Sequence, residues 1–364
     1  MIAVLGAGSW GTALASVLAS SGQSVALWAR DPALALRIGS ERRNPAYLPG
    51  VSLSPSMVVT GDLGEALSGA RIVVLAVPTH GMRATAERCR PILWKGCAVV
   101  SAAKGFETGT GLTMSEVLVE VLGSSWESRV AALSGPNIAM EIARGMPAAT
   151  VVASRSEATA ALVRDALAGE RLRVYSSGDL VGVEYGGALK NVVAIAAGVC
   201  DGAGSGDNGK AALITRGLAE MARLGVRAGA QPLTFAGLTG LGDCVVTCFS
   251  PFSRNRRLGE AIGRGQTLRE VEAGMFMVAE GVNAARVARG LAEEAGVEMP
   301  IVTEVCAVLF EEKPILAAFV DLMRRGARDE LSEFGLDPLG DGDPGGSGAA
   351  KMGARGPSGS SSGG

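Results

Sequence analysis

Three closely spaced glycines follow a short apolar run at the start of the chain, and this order restricts the fold more than any other feature of the sequence. Residues 1–5 lead into Gly6, Gly8 and Gly11, and residues 12–19 are small or apolar. Gly6 would make a tight turn, Gly8 would let backbone approach a pyrophosphate, and Gly11 would let a helix pack on the strand. Because free N–H groups at a helix start hold phosphates, the pattern predicts dinucleotide binding. The alternative is a plain glycine-rich turn.

Further apolar runs recur along the first half of the chain and resemble buried parallel strands. They lie at residues 2–5, 25–28, 72–77, 98–101, 130–133, 149–153 and 172–175, and segments of helical length separate most of them, for example 12–20, 82–93 and 113–122. Such alternation predicts an α/β Rossmann domain, a doubly wound and mainly parallel sheet whose ligands bind at the carboxyl ends of the strands.

The pattern of apolar residues changes period after the last of these runs. From about residue 183 to about 334 it is helical, and residues 337–364 are rich in glycine and serine and contain no aromatic residue. We therefore expect a dinucleotide-binding Rossmann domain over residues 1–182 and an all-helical substrate and catalytic domain over 183–336. A disordered tail should follow over 337–364, because such a composition buries too little apolar surface to fold.

Composition excludes several functional classes. With 364 residues, 48% of them apolar, the chain can form two buried domains. A net charge of −2 argues against a nucleic-acid partner. No run reaches the ~18 uninterrupted apolar residues that cross a bilayer, so we expect a cytoplasmic protein. The cysteines are scattered and His80 is the single histidine, which makes a metal site or a histidine triad improbable and leaves lysine as the expected proton carrier.

Two neighbouring residues at the end of the second predicted strand could select the cofactor. In a Rossmann fold the residue about 20 positions after the glycines reads the adenosine ribose, and here Arg30 precedes Asp31. An aspartate would accept a hydrogen bond from a 2'-hydroxyl, whereas an arginine would favour a 2'-phosphate. We favour NADP(H), while NAD(H) stays open, and the alternative is a surface ion pair of little consequence.

Lys190 lies in the most apolar helix-like run of the second half, residues 185–199. Its neighbours at helical spacing are small or apolar, including Gly186, Gly187 and Ala194. An ammonium group on such a face loses hydration, which favours the neutral amine that a proton acceptor needs. The alternative is a lysine that extends from the helix end to water.

Two more segments place polar groups at the carboxyl ends of predicted strands. Lys104 follows the run 98–101, and Gly135 and Asn137 follow the run 130–133. Asn137 also suits the N-cap of a short helix. Because these residues would meet the glycine turn at one edge of the sheet, we expect them to line a ligand crevice, although each alone could be an ordinary turn.

The helical half offers a carboxylate and an oxyanion site. Asp243 follows the glycine-rich residues 237–242, and Ser253 precedes a group of arginines. A serine N-cap followed by arginine at a helix start suits an oxyanion, because N–H groups, the helix dipole and a guanidinium converge there. A solvated basic turn is the alternative. Beside a nucleotide domain, the combination favours a phosphorylated substrate.

Seven short sequence blocks together resemble the bacterial members of the NAD-dependent glycerol-3-phosphate dehydrogenase family, which use NAD(P). The resemblance spans residues 1 to about 334, and its blocks occur in order at 6–15, 103–107, 134–137, 188–192, 240–243, 253–256 and 278–281. It implies reversible reduction of dihydroxyacetone phosphate to sn-glycerol 3-phosphate for phospholipid synthesis, by an enzyme that needs no metal and that we expect to be a homodimer.

The resemblance also assigns roles to residues. Lys190 would accept the proton during oxidation and donate it during reduction, with Lys104 and Asp243 as the other catalytic residues. The substrate would contact Lys104, Gly135, Asn137, Lys190, Asp243, Ser253, Arg254 and Asn255. The cofactor would contact Gly6, Gly8, Ser9, Trp10, Gly11, Arg30, Lys104, Ala139, Arg254, Val278 and Glu280. One departure is Asn137, where family members often carry serine or threonine.

Two alternatives stay open at this point. A dehydrogenase of the same architecture that acts on a small hydroxy acid would also need the glycines and a lysine on a helix. A non-enzymatic dinucleotide sensor would bind the cofactor without turnover. The embedded Lys190 and Asp243 argue against the sensor, because a sensor needs no proton carrier.

Overall fold

An eight-stranded sheet occupies the first half of the computed structural model, which describes residues 1–275 and 279–325. The strands are β1 (Ile2–Leu5), β2 (Val25–Trp28), β3 (Val58–Thr60), β4 (Ile72–Leu75), β5 (Ala98–Ser101), β6 (Val130–Ser134), β7 (Ala148–Ala153) and β8 (Leu172–Ser177). The helices of this half are α1 (Ser9–Ser20), α2 (Pro32–Glu41), α3 (Leu63–Leu67), α4 (Met82–Cys89), α5 (Met114–Leu122), α6 (Ala139–Ala143) and α7 (Glu157–Leu167), with short 3-10 helices at Thr79–Gly81 and Ser124–Arg129.

The strand order is β3-β2-β1-β4-β5-β6-β7-β8. Neighbouring strands are parallel except β6 and β7, which are antiparallel. The chain winds outward from β1 in one direction and from β4 in the other, so a topological switch point lies between these two strands. In open α/β sheets the ligand crevice forms outside the carboxyl ends of the strands at such a point. The predicted α/β fold class is therefore confirmed.

Helices alone follow β8 in the part of the chain that the structure describes. They are α8 (Leu180–Ala203), α9 (Gly206–Arg227), α10 (Pro232–Ala236), α11 (Asp243–Phe249), α12 (Arg254–Gly263), α13 (Leu268–Ala273), α14 (Glu280–Ala295), α15 (Pro300–Phe310) and α16 (Ile315–Met323), with a π-helical turn at Leu238–Gly242. The exact domain boundaries stay a prediction. The predicted tail, residues 337–364, and Val278 lie outside the described residues.

Two apolar cores cover the faces of the sheet, and a third surrounds α8 in the helical half. Within residues 1–275 and 279–325, α8 is the one helix long and apolar enough to cross a bilayer, but 89% of its most apolar window is buried inside the protein. Burial of that kind is typical of the central helix of a folded domain. The apolar run at residues 185–199 is thus part of a longer helix in the core of the protein.

Helices α8 and α12 touch through their backbones. A Cβ atom on Gly198 would lie 2.0 Å from the carbonyl oxygen of Arg256, and one on Gly259 would lie 2.0 Å from the carbonyl oxygen of Ile195. Any larger residue would collide with backbone at either position. Overpacking of this kind typically lowers the free energy of unfolding by about 1–3 kcal/mol. We call this contact the glycine seam. It fixes α12 against the helix that carries Lys190.

Candidate active site

The glycine turn lies at the switch point and has the shape that a pyrophosphate requires. Gly6 has a φ of +118°, and a Cβ atom there would lie 2.6 Å from the carbonyl oxygen of Ala76, which follows β4. A Cβ atom on Gly11 would lie 2.0 Å from the carbonyl oxygen of Gly6, whereas one on Gly8 would have no atom within 4 Å. Gly6 and Gly11 are therefore needed for packing, and Gly8 faces open space. The turn fits a dinucleotide.

A buried asparagine that the sequence did not single out supports this turn. Asn44 donates from Nδ2 to the carbonyl oxygen of Ala7 at 2.9 Å and to the Thr12 hydroxyl at 2.9 Å. Ser9 donates from Oγ to the carbonyl oxygen of Tyr47 at 2.7 Å. The loop after α2 thus holds the glycine turn and the start of α1 in place. No sequence signal pointed to Asn44, because its partners lie more than 30 residues away.

Three other predicted cofactor contacts lie in the first helix or beside it. Ser9 and Trp10 form the first turn of α1, and α6, which begins at Ala139, packs beside that helix. Trp10 and Ala139 are both partly buried against the same apolar core. The structure therefore brings these residues together beside the glycine turn.

The acidic residue after β2 already has a structural partner. Asp31 is the N-cap of α2, and its Oδ1 accepts a hydrogen bond from the backbone N–H of Ala33 at 2.9 Å. Its neighbour Arg30 is exposed at the sheet edge. One oxygen of the Asp31 carboxylate is thus engaged in capping α2. Which of the two residues reads the ribose stays a prediction.

Lys190 is buried and forms an ion pair rather than reaching water. Its side chain is 8% exposed, and Nζ lies 3.0 Å from Asp243 Oδ1 and 2.7 Å from the Thr247 hydroxyl. Asp243 itself is 2% exposed. The alternative of a lysine extending to solvent is therefore wrong. Thr247, one helical turn after Asp243 on α11, was missed, although its i+4 spacing from Asp243 was a usable signal.

Lys104 approaches the same carboxylate from the edge of the sheet. Its Nζ lies 2.6 Å from Asp243 Oδ2 and donates to the carbonyl oxygen of Gly135 at 2.7 Å. Burial lowers the pKa of Lys104 to about 8, since the attraction of Asp243 offsets only part of the cost of desolvation. The result is a cluster in which one carboxylate lies between two amines, one on each half of the chain. We call Lys104, Lys190 and Asp243 the amine cluster.

The backbone before Asp243 is more ordered than the sequence suggested. Residues Leu238–Gly242 form a π-helical turn that runs into α11, so the aspartate starts a helix instead of following a flexible loop. A Cβ atom on Gly240 would lie 2.1 Å from the carbonyl oxygen of Phe235. Burial alone would raise the pKa of Asp243, but the charges of Lys104 and Lys190 and their hydrogen bonds hold it below its usual value. The carboxylate therefore stays charged.

The prediction that Asn137 caps a helix is wrong. The N-cap of α6 is Ile138, which makes no side-chain cap. Asn137 instead donates from Nδ2 to the Thr150 hydroxyl at 2.9 Å on the neighbouring antiparallel strand, and its Oδ1 is buried without a protein partner. An unpaired buried amide oxygen costs free energy. A ligand with a hydroxyl group could satisfy it.

The predicted oxyanion site lies at the start of α12. Ser253 is its N-cap and accepts from the backbone N–H of Arg256 at 3.2 Å, as predicted. Asn255, however, is buried between helices. It donates to Asn191 Oδ1 at 2.8 Å and accepts from the backbone N–H of Gly281 at 2.9 Å. Burial lowers the pKa of Arg254, and the nearby Glu280 carboxylate offsets part of the shift.

All six cysteines are buried and free. In the ranges 1–275 and 279–325 no group of three histidine, cysteine or acidic side chains is arranged to hold a metal ion.

A glycine turn shaped for a pyrophosphate follows β1, and Lys104, which follows β5 at the same edge of the sheet, joins Lys190 at one buried carboxylate. This combination is typical of a dinucleotide-dependent oxidoreductase. Residues 1–160 match the family described as NAD-dependent glycerol-3-phosphate dehydrogenase N-terminus, and residues 179–320 match the corresponding C-terminus. The chain belongs to the NAD-dependent glycerol-3-phosphate dehydrogenase family.

Individual relatives agree with this assignment. A glycerol-3-phosphate dehydrogenase (NAD(P)+) of Moorella thermoacetica is 50% identical over 330 residues, which cover 91% of this chain and 97% of the relative. A protein of the same name from Frankia casuarinae is 50% identical and covers 92% of this chain and 99% of its own. The crystal structure of the Coxiella burnetii glycerol-3-phosphate dehydrogenase superimposes with a TM-score of 0.84 at 37% identity, over 89% of this chain and 98% of that one.

Proposed function

We propose that this oxidoreductase interconverts dihydroxyacetone phosphate and sn-glycerol 3-phosphate, with Lys190 as the proton carrier. The amine cluster carries the proposal, because two amines converge on one carboxylate and one of them, Lys104, lies at the same edge of the sheet as the glycine turn. A bound nicotinamide would supply or accept the hydride at the central carbon of the substrate. The product would feed phospholipid synthesis. We also propose that the protein is a cytoplasmic homodimer, as its likeness to the family suggests.

The protein residues would manage the proton and the charge. The oxygen on the reacting carbon must gain a proton during reduction, and Lys190 can donate it because its amine is held by Asp243 and Thr247. Lys104 can stabilise the negative charge that develops on the same oxygen. Gly135 and Asn137 would complete the substrate pocket. Asp243 aligns both amines, since each of its oxygens accepts from one lysine.

The phosphate of the substrate would bind at the start of α12. Ser253, Arg254 and Asn255 lie there, and the guanidinium of Arg254 can form two parallel hydrogen bonds with a phosphate. Since the glycine seam fixes α12 against α8, a phosphate held by Arg254 would orient the substrate carbon toward Lys190. The side chain of Asn255 already links α8 to α14 through hydrogen bonds with Asn191 and Gly281. Asn255 would therefore serve the phosphate site mainly by holding the start of α12 in place.

For the cofactor, we propose binding across the switch point with a preference for NADPH over NADH. Arg30 would contact the 2'-phosphate, and one oxygen of the neighbouring Asp31 carboxylate is engaged in capping α2. The remaining contacts would come from the glycine turn and from other predicted residues: Gly6, Gly8, Ser9, Trp10, Gly11, Lys104, Ala139, Arg254, Val278 and Glu280. The proposed domains are those predicted from the sequence, residues 1–182 and 183–336, with the tail 337–364 outside both.

The direct test measures loss of the reduced-nicotinamide absorbance when dihydroxyacetone phosphate is added, in separate reactions with NADPH and NADH. We expect turnover with both and a higher kcat/KM with NADPH. A hydroxy-acid dehydrogenase would instead prefer a keto acid, and a sensor would bind the cofactor without turnover. If no ketone phosphate is reduced, the proposed function is refuted.

Replacing Arg254 by Ala should raise the KM for dihydroxyacetone phosphate by about 10- to 100-fold, the range expected when a charged hydrogen-bond donor is lost. Reduction of unphosphorylated dihydroxyacetone, measured in the same assay, should change much less. Arg264→Ala is the matched control, since Arg264 lies at the far end of the same helix and is 67% exposed. Unaltered kinetics in Arg254→Ala would remove the phosphate site from this position.

The rate of ketone reduction should fall as the pH rises through about 8. The pKa of Lys104 is lowered to about 8, whereas an ordinary lysine has a pKa of about 10.4. Its ammonium therefore loses its proton, and with it the charge that stabilises the developing oxyanion, at a lower pH than usual. The check is a profile of kcat/KM against pH for the native chain and for Lys104→Arg, whose guanidinium does not titrate in this range. We expect the descending limb to move to higher pH in the variant. If the descending limb of the pH profile were unchanged in Lys104→Arg, the titrating group would be a residue other than Lys104.

A further inference from the structure

Thr79 connects the two halves of the chain at the switch point. It follows β4, and its hydroxyl donates to Glu280 Oε2 at 2.7 Å while its backbone N–H donates to Glu280 Oε1 at 3.3 Å. Glu280 is the first residue of α14, so these bonds join positions 201 residues apart. Thr79 is 3% exposed. Both oxygens of one carboxylate are thus held by one threonine.

The turn after Lys104 packs directly on this pair. Gly105 has a φ of +154°, and a Cβ atom there would lie 2.8 Å from the Thr79 methyl carbon and 3.8 Å from Glu280 Oε2. The Thr79 side chain therefore has two faces with separate contacts. Its hydroxyl bonds to the carboxylate, and its methyl group supports the turn that carries Lys104 into the amine cluster.

The Glu280 carboxylate also lies within electrostatic range of a cation on α12. Arg254 lies close enough for the negative charge of Glu280 to act on it. Attraction between unlike charges would draw the carboxylate toward α12. The two donors of Thr79 hold the carboxylate oxygens after the carboxyl end of β4, next to the topological switch point between β1 and β4.

We propose that Thr79 is a positioning residue for the dinucleotide, because it fixes the Glu280 carboxylate where the cofactor binds. This inference rests on the proposed role of Glu280 as a cofactor contact. A carboxylate accepts hydrogen bonds and donates none when ionised, so it would bind a ribose hydroxyl or the carboxamide N–H of the cofactor. A misplaced carboxylate would lose that bond, whereas the amine cluster would keep its own geometry.

The test compares Thr79→Val with Thr79→Ser. Valine keeps the shape and the methyl contact with Gly105 but lacks the hydroxyl donor, and serine keeps the donor but lacks one methyl group. We expect the Kd for NADPH, from its fluorescence on binding, to rise about 10-fold in Thr79→Val and less than about twofold in Thr79→Ser, as loss of a hydrogen bond to a charged group predicts. At saturating cofactor, kcat should stay within about twofold of the native value.

Glu280→Gln and the double variant Thr79→Val/Glu280→Gln complete a thermodynamic cycle. If Thr79 acts through Glu280, the double variant should bind NADPH no more weakly than the weaker single variant. Additive losses, or a native Kd in Thr79→Val while Glu280→Gln binds weakly, would overturn the inference. A native Kd in Glu280→Gln would instead refute the proposed role of Glu280 itself, so the two failures are distinguishable. Thermal melting without cofactor would show whether each variant is folded, and Thr79→Ser tests the donor even if the valine variant is not.

Discussion

Replacing Lys190 by Ala should reduce kcat by at least about 100-fold, the usual contribution of general acid–base catalysis. The variant lacks the amine that would exchange a proton with the substrate oxygen, while Asp243 keeps Lys104 as its ion-pair partner. The proposed cofactor contacts do not include this side chain, so the Kd for NADPH should change little. Steady-state turnover and fluorescence titration measure the two quantities separately.

A second buried lysine supplies the control for this prediction. Lys210 is 6% exposed and pairs with Asp201 at 2.8 Å, as Lys190 does with Asp243, but it lies outside the amine cluster. Lys210→Ala removes a similar ion pair and should lower stability while leaving kcat within a few-fold of the native value. If Lys190→Ala turned over at a near-native rate, or if both variants lost activity equally, Lys190 would not be the proton carrier.

Replacing Asp243 by Asn should lower both activity and stability. Asparagine keeps the shape but removes the charge that two buried amines share, and an uncompensated buried charge typically costs about 3–5 kcal/mol. Deprotonation of Lys104 would relieve part of that cost. We expect a loss of roughly 3 kcal/mol in the free energy of unfolding from urea titration, and a fall in kcat of at least about 100-fold because neither amine is aligned.

Thr247→Val is the matched control for Asp243→Asn. It removes one hydrogen-bond partner of Lys190 at 2.7 Å but leaves the carboxylate in place. Its losses in stability and kcat should both be clearly smaller. If Asp243→Asn were as stable and as active as the native chain, the carboxylate would have no role in holding the cluster.

Buried strands were the easiest elements to predict from the sequence. The bounds of β1, β2 and β5 match the predicted runs because all four residues of each are buried and apolar or small. β3 was missed because its apolar run, Met57 to Val59, is short and only Thr60 of its three strand residues is buried. α1 begins at Ser9, three residues before the predicted start at residue 12. The prediction placed the start too late because the first turn contains Gly11 and lacks an apolar pattern.

The sequence could identify the amines of the candidate site but not their partner geometry. Lys190 and Asp243 are 53 residues apart, and Lys104 and Asp243 are 139 apart, so their contact depends on how the helical half packs against the sheet. The same limit applies to Asn137, where local spacing suggested a helix cap but a hydrogen bond to Thr150 on the neighbouring strand was formed instead. Tertiary contacts decide such cases.

The glycine seam couples the positions of α8 and α12. Helices in backbone contact have no compressible side-chain layer between them, so neither can slide or turn alone without a collision or a void. We therefore expect Lys190 on α8 and Arg254 on α12 to move together as parts of one rigid body in any motion that accompanies substrate binding or product release. A chimera with a relative would have to exchange α8 and α12 together, because a mismatched pair would displace Lys190, the proposed proton carrier, from Arg254, the proposed phosphate ligand.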